Sequence, residues 1–294
     1  MAVYKRRYNP YTGSLTPDWS RFYVLTRYAF VDLFKSRVFV LLLILALLPT
    51  LGFAGYIFIA NNNSFQMIMQ LRDAGAFKVE SYFFVILLIV QTQLAFLLDC
   101  WAGPVLVAGD LTNGALPLFL SRPFSRSEYV AGKLAVLAIL LSAVTWIPTL
   151  LLFGLQSGLA SHGWLWSHLW MILPIILCSA VWILMLSLIS LAISAWVKLR
   201  IVATGLTFIF FFIPAGLGEI YNLIMNTYWG RLLNFTDLFR RILMHSLRAE
   251  DQLSQMARFD DIPIPMAWIT LFLVCLAALW VLNVRLRARE VVRG

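Results

Sequence analysis

The chain has 294 residues, 61% of them hydrophobic and only 13% charged, with a mean hydropathy of +0.84; this excludes a soluble globular protein, which would lack the polar residues to cover its surface. The net charge of +9 at pH 7 fits anionic lipid or nucleic acid as a partner until its placement along the chain is known. Cys100, Cys178 and Cys275 lie far apart in or beside apolar runs, with neither CxxC nor metal-ligand spacing, and read as buried apolar side chains.

Residues 1–37 carry Lys5, Arg6, Arg7, Arg21, Arg27, Lys35 and Arg37 before any long apolar run, unlike a cleavable signal peptide, so the first span is expected to be retained. Within this segment, DWSRFYVLTRYAFVDLFKSR repeats Trp19, Phe22, Tyr23, Phe30, Leu33 and Phe34 at helical spacing. Arg21, Arg27, Asp32 and Lys35 fall largely on the remaining arc. The pattern predicts a helix lying in the membrane interface, or resting on the cytoplasmic ends of the chain's own bundle.

A helix rising about 1.5 Å per residue needs about 20 apolar residues to cross a hydrocarbon core of roughly 30 Å. Six runs qualify: 38–60, 82–107, 130–155, 169–197, 201–217 and 266–284. The second is interrupted near its end by Asp99 and Pro104, and Asp99 is expected at a solvated or Arg-paired helix end. Only Lys198, Leu199 and Arg200 separate the fourth run from the fifth, which makes the two a tight membrane hairpin.

Alternate connecting segments carry sixteen Lys and Arg on one side and seven on the other. The positive-inside rule then predicts both termini in the cytoplasm, with the 109–133 stretch beside them and the 218–265 segment outside. Topology accounts for most of the excess positive charge, leaving no reason to invoke nucleic acid. Arg285, Arg287, Arg289 and Arg293 form a short basic tail, residues 285–294, suited to anionic headgroups.

The outer segment EIYNLIMNTYWGRLLNFTDLFRRILMHSL predicts two amphipathic helices broken near Gly230, with Asn234 or Thr236 available to cap the second. Ile262-Pro263-Ile264-Pro265 gives an extended lead-in to span six, because each Pro disfavours helix at the residue before it. Trp164, Trp166 and Trp170 read as an aromatic belt, and His162, His168 and His245 as solvated or interfacial groups.

The chain contains no GxxxxGK[ST] phosphate loop, no GxGxxG, no HExxH and no GxSxG elbow. Titratable groups are nearly absent from the spans, which disfavours a membrane-embedded enzyme and leaves Asp99 as the one intramembrane carboxylate an ion-coupled transporter would use. Any work the protein does is expected to draw its energy from a partner.

Residues 109–133, GDLTNGALPLFLSRPFSRSEYVAGK, are neither a span nor an ordinary connector. Asn113-Gly114 interrupts the preceding helix, Leu116, Leu118, Phe119 and Leu120 supply an apolar short helix, and Ser121-Arg122-Pro123 turns the chain. Ser125 with Glu128 forms an S-x-x-E capping box for a helix that begins at Arg126 and runs through Gly132 and Lys133 into span three.

This stretch resembles the first cytoplasmic loop of the type-2 permeases of ATP-binding-cassette (ABC) transporters. The matching positions are Asp110, Gly114, Ala115, Leu116, Leu120, Ser121, Pro123, Ser125, Arg126, Glu128, Gly132 and Lys133. Asp110 stands where Glu is more usual and Ala115 where Thr is common. The six spans, the interfacial helix ahead of them and the outer helical segment before span six are also similar to that family, so the likeness covers nearly the whole chain.

The resemblance implies an all-α integral membrane protein: an N-terminal segment 1–37, a six-helix domain 38–284 with a coupling loop at 108–130, and the basic tail. It implies a permease subunit, an exporter of the inner (plasma) membrane, whose coupling helix seats in a groove of a separate nucleotide-binding ATPase subunit. Leu116, Leu118, Phe119 and Leu120 would fill that groove, Arg122, Arg126 and Glu128 would form its polar rim, and Pro123 would fix the angle to span three. ATP and Mg would be bound on the partner, with no cofactor on this chain. A second permease chain would complete the pathway, with membrane lipids around it and accessory proteins at the outer loop. The alternative function is a membrane scaffold or sensor subunit that engages a cytoplasmic ATPase or assembly complex without moving cargo.

Overall fold

A computed structural model of the chain describes residues 21–62, 78–112, 126–160, 163–197, 199–250 and 262–288. Every regular element among them is helical. Six helical segments are long and apolar enough to cross a membrane: Arg37–Asn61, Ser81–Asp110, Glu128–Leu159, Trp164–Trp196, Arg200–Met225 and Ile264–Val284. The chain is therefore read as a multi-pass membrane protein.

The elements in order are α1 (Arg21–Phe34), α2 (Arg37–Asn61), α3 (Ser81–Thr112), α4 (Arg126–Val144), α5 (Trp146–Leu159), α6 (Trp164–His168), a 3-10 turn (Leu169–Met171), α7 (Ile172–Trp196), α8 (Arg200–Met225), a second 3-10 turn (Trp229–Leu233), α9 (Phe235–Ser246) and α10 (Ile264–Ala288). Contacts fix an up-and-down arrangement. Phe39 of α2 stacks on Trp101 of α3 at one level, and Tyr56 stacks on Phe83 at another. We call the end holding Thr112, Arg126 and Arg200 the lower end; it is the one expected to face the cytoplasm.

The spans differ in what surrounds them. The second, third and fourth are mostly buried in the bundle, while the first, fifth and sixth expose most of their surface. In a bilayer this costs nothing, since exposed Leu41, Leu51, Ile213 and Phe272 meet lipid tails as apolar as themselves. What must be satisfied is the backbone and the few polar side chains.

Polar side chains are accordingly joined across helices in the upper half. Thr149 of α5 donates to Gln91 Oε1 of α3 over 2.6 Å, and Gln91 in turn donates to Thr50 of α2 over 3.2 Å. Nearer the upper end Asn61 of α2 donates to Gln156 of α5 over 2.8 Å.

Several expected boundaries move: the fourth span reaches back to Trp164, and the sixth begins at Ile264, inside the expected extended lead-in. Span two was expected to be interrupted near its lower end, yet α3 runs through Asp99 and Pro104 to Thr112. Span three, expected as one run, breaks at Thr145 between α4 and α5. Pro148 has no N–H to give the Val144 carbonyl, and the Thr145 hydroxyl bonds Leu141 O while the Thr149 N–H reaches Thr145 O, so at the break a side chain joins in serving the backbone. Span five was expected to stop at 217, but α8 continues to Met225, closed by Asn226 in the left-handed conformation with φ of 48°. Glu219 ends the apolar run without ending the helix.

The segment after α8 folds back into the bundle. Gly230 donates its N–H to Asn222 Oδ1 over 2.7 Å, and Gly218 and Gly230 approach so closely that a Cβ on either would strike the other's carbonyl. Phe235 then lies beside Phe210 and Phe211, near the middle of α8, with ring centroids 5.7 and 5.9 Å apart. From there α9 climbs back along α7: Phe239 packs on Trp182 at 4.6 Å, and Arg248 ends over the Trp170 ring at 4.7 Å.

Only one of the two expected outer helices is separate. The first is the end of α8, and the second is α9, capped by Asn234, whose Oδ1 accepts from Asp237 N–H. Its face bearing Phe235, Leu238, Phe239, Ile242 and Leu243 is buried. The opposite face carries Asp237, Arg240 and Arg241; burial raises the Asp237 carboxyl above its ordinary range while the Arg240 guanidinium lowers it.

Candidate functional site

The expected coupling segment is described only at its two flanks. Gly114, Leu116, Leu118, Phe119, Leu120, Ser121, Arg122, Pro123 and Ser125 lie outside the described residues, as does the side chain of Arg126. Among the described residues α4 runs from Arg126, with Glu128 half-buried near its start, and Ser125 of the expected capping box lies outside them.

The flanks are tied to each other. Asp110, in the last turn of α3, places Oδ2 2.8 Å from Lys133 Nζ and 2.8 Å from the Tyr129 hydroxyl, both on α4. The Lys133 side chain is only 6% exposed and Asp110 22%, while Tyr129 is buried. Lys133 also lies over the Tyr129 ring. Tyr129 was not singled out from sequence; its position four residues before Lys133, on the same helical face, was the available signal.

Above this clamp, α3 is bound to α7. The Ser194 hydroxyl accepts from Ala108 N–H over 2.9 Å and donates to Pro104 O over 3.2 Å, bridging two backbone groups one helical turn apart. A side chain seated on a ladder next to a proline is a recognised cause of local helix bending. One turn higher, Gly103 lets α7 approach directly, and Ser190 Oγ lies 3.1 Å from Asp99 Oδ1.

Asp99 corrects the sequence expectation. It is neither solvated nor paired with arginine: its exposure is 0%, Oδ2 has no hydrogen-bond partner, and no ion pair reaches it among the described residues. It sits about 20 Å above Thr112 by helical rise. The helix simply continues past it, which moves it from an end to the middle.

No family model and no curated protein matches the sequence. The site therefore stands on its own geometry.

Helix α1, expected at the interface, divides its apolar set. Leu33 is buried with Thr26 and Ala29, and Thr26 donates to Gly132 O of α4 over 3.3 Å, so this face packs on the bundle rather than on lipid. Tyr23 and Phe34 are exposed and Phe30 is half-buried. Trp19 lies outside the described residues, and so does the Phe22 side chain.

Between α7, α8 and α10, toward the lower end, lies an apolar cavity of about 450 Å³ lined by Ile189, Trp196, Leu206, Phe210, Ala278 and Val281, among others. Without polar groups it offers nothing to orient a polar ligand. Of the aromatic belt, Trp166 is exposed, whereas Trp164 stacks on His168 at 4.3 Å and Trp170 packs against the core. All three cysteines are free and buried.

Proposed function

We propose that the chain is the permease subunit of an ATP-driven exporter in the inner (plasma) membrane. Its six spans, with those of a second permease chain, form the pathway, and ATP with Mg is bound and hydrolysed on a separate subunit that engages residues 113–125. The observation that carries this reading is the Asp110–Lys133–Tyr129 clamp. It binds the two membrane helices at the base of that segment, so a push on the segment moves α3 and α4 together instead of flexing a loose loop.

Ser194 and Ser190 extend the same connection from α3 into α7. A displacement of a few ångströms at the lower end would thus reach the most deeply buried helices, as alternating access requires. Binding a groove on the partner is a matter for Leu116, Leu118, Phe119 and Leu120, with Arg122, Arg126 and Glu128 around them.

The test is purification of the tagged chain from its native membrane in mild detergent, with mass spectrometry of co-purifying proteins and an ATPase assay on the eluate. A stoichiometric P-loop ATPase, lost when residues 116–122 are replaced by Gly-Ser or when Arg126→Glu is introduced, is the expected result. A folded chain that brings down no ATPase at any detergent strength overturns the permease reading in favour of a scaffold or sensor subunit.

A further inference from the structure

Among the described residues Asp99 is the one acidic side chain sealed inside the bundle at mid-span, and its surroundings say which protonation state they hold. Ser190 has a single hydroxyl proton but lies within bonding distance of two acceptors, Asp99 Oδ1 at 3.1 Å and Ser187 O at 3.3 Å. If Asp99 were ionised, that proton would be its only donor, and a buried carboxylate with one hydrogen bond and an empty second oxygen is among the costliest groups a membrane protein can hold. If Asp99 is a neutral acid, its own proton goes to Ser190 Oγ and the Ser190 proton goes to Ser187 O. Every hydrogen then has an acceptor, and no charge is buried.

Among the described residues the neighbours offer no other neutralising charge. α7 turns the hydroxyls of Ser190 and Ser194 to this stretch of α3, α8 turns Phe208, Phe211 and Phe212 to Phe96, and α2 turns Phe39 to Trp101. α5 reaches α3 through Thr149 and Phe153. The charges on packed elements are engaged elsewhere: Lys133 of α4 with Asp110, Arg241 of α9 with Glu250, and Arg240 beside Asp237. Cys100, next on α3, is a buried free thiol.

We infer that Asp99 is an intramembrane proton-binding site, occupied when α3 and α7 are in contact, and that parting these helices releases the proton. In the release step the Asp99 O–H bond breaks, the proton passes to entering water, and the carboxylate is left solvated. Gly103 is what makes the closed state dry: without a Cβ it lets the Ser190 side chain close over the carboxyl group. The site is independent of the permease reading, because it concerns only the α3–α7 contact and stands whether or not an ATPase binds residues 113–125.

The inference sets a slope. When only the closed state keeps the proton, the open population rises about tenfold for each pH unit above the ordinary carboxyl range of about 3.9. The experiment uses the full chain in lipid nanodiscs. Hydrogen exchange of the amides at 99–108, divided by their intrinsic chemical rate, is followed from pH 5 to pH 9 alongside the infrared carbonyl stretch of isotopically labelled aspartate.

The expected result is a protonated-carboxyl band at pH 7 that is absent in Asp99→Asn, with an exchange slope in the wild type that Asp99→Asn flattens. Ser190→Ala keeps the slope and shifts it to lower pH, which tests the site even if the asparagine variant folds poorly. A carboxylate-only spectrum at pH 7, an exchange profile responding to Na⁺ rather than pH, or equal slopes in wild type and Asp99→Asn would each overturn it.

Discussion

Gly103 leaves no room for a side chain against Ser190: a Cβ built on it would fall 2.5 Å from the serine oxygen and 2.7 Å from its Cβ. Helices α3 and α7 thus meet through a glycine and a row of serines, the kind of contact on which membrane helices rely when burial from water no longer drives association. Gly103→Ala is expected to destabilise the bundle by about 1–3 kcal/mol through overpacking. Adding Ser190→Gly should recover part of the loss, read as the thermal midpoint in detergent. A variant with alanine at 103 that melts like the wild type would show the two helices lie farther apart.

The Asp110–Lys133–Tyr129 clamp is asymmetric. Lys133 is the more buried partner, so Asp110→Ala strands an ammonium and is expected to cost about 2–4 kcal/mol, somewhat below a fully buried pair because Asp110 is partly exposed. Asp110→Ala with Lys133→Met should be more stable than Asp110→Ala alone. Tyr129→Phe keeps the ring and should cost about 1 kcal/mol. Denaturation of the four proteins side by side checks the order.

Trp182 holds α9 inside the bundle through Phe239 while its indole N–H donates to Thr92 O of α3 over 3.3 Å. Trp182→Ala and Phe239→Ala are each expected to cost about 3–5 kcal/mol. Their double-mutant cycle should leave a coupling of about 0.5–1.5 kcal/mol. Strict additivity would mean that the rings do not touch.

Asn234, half-buried, caps α9 by accepting from Asp237 N–H. Asn234→Ala should cost about 1–2 kcal/mol and raise exchange of the first-turn amides of α9, while Asn234→Ser should restore most of the protection. Equal exchange in all three proteins would place the helix start elsewhere.

The spans were legible because membrane insertion selects for apolar length, a property of single runs of sequence. The tight α7–α8 hairpin and the Asn234 cap were legible for the same reason: each is set by a few adjacent residues. Burial of α9 was not, since an amphipathic helix looks alike on a membrane surface and against Trp182. Nor was the setting of Asp99, which depends on Ser190, ninety-one residues away, and on a glycine whose role appears only when a second helix lies against it. Pro148 was visible and its break at Thr145 could have been read, but an apolar run long enough to span concealed it.

The lodging of α9 also bears on how the protein is made. Its buried face rests partly on α10, and Phe235, Leu238 and Phe239 leave the ribosome before any residue of α10 exists. A nascent chain that has emerged through 250 therefore carries a twelve-residue helix without its full seat, too short to cross the bilayer and too charged to stay in lipid. Until α10 is inserted, α9 keeps only part of its seat, Phe239 on Trp182 and Phe235 beside Phe210 and Phe211, so truncation before Ile264 is expected to loosen α9 even with five spans in place.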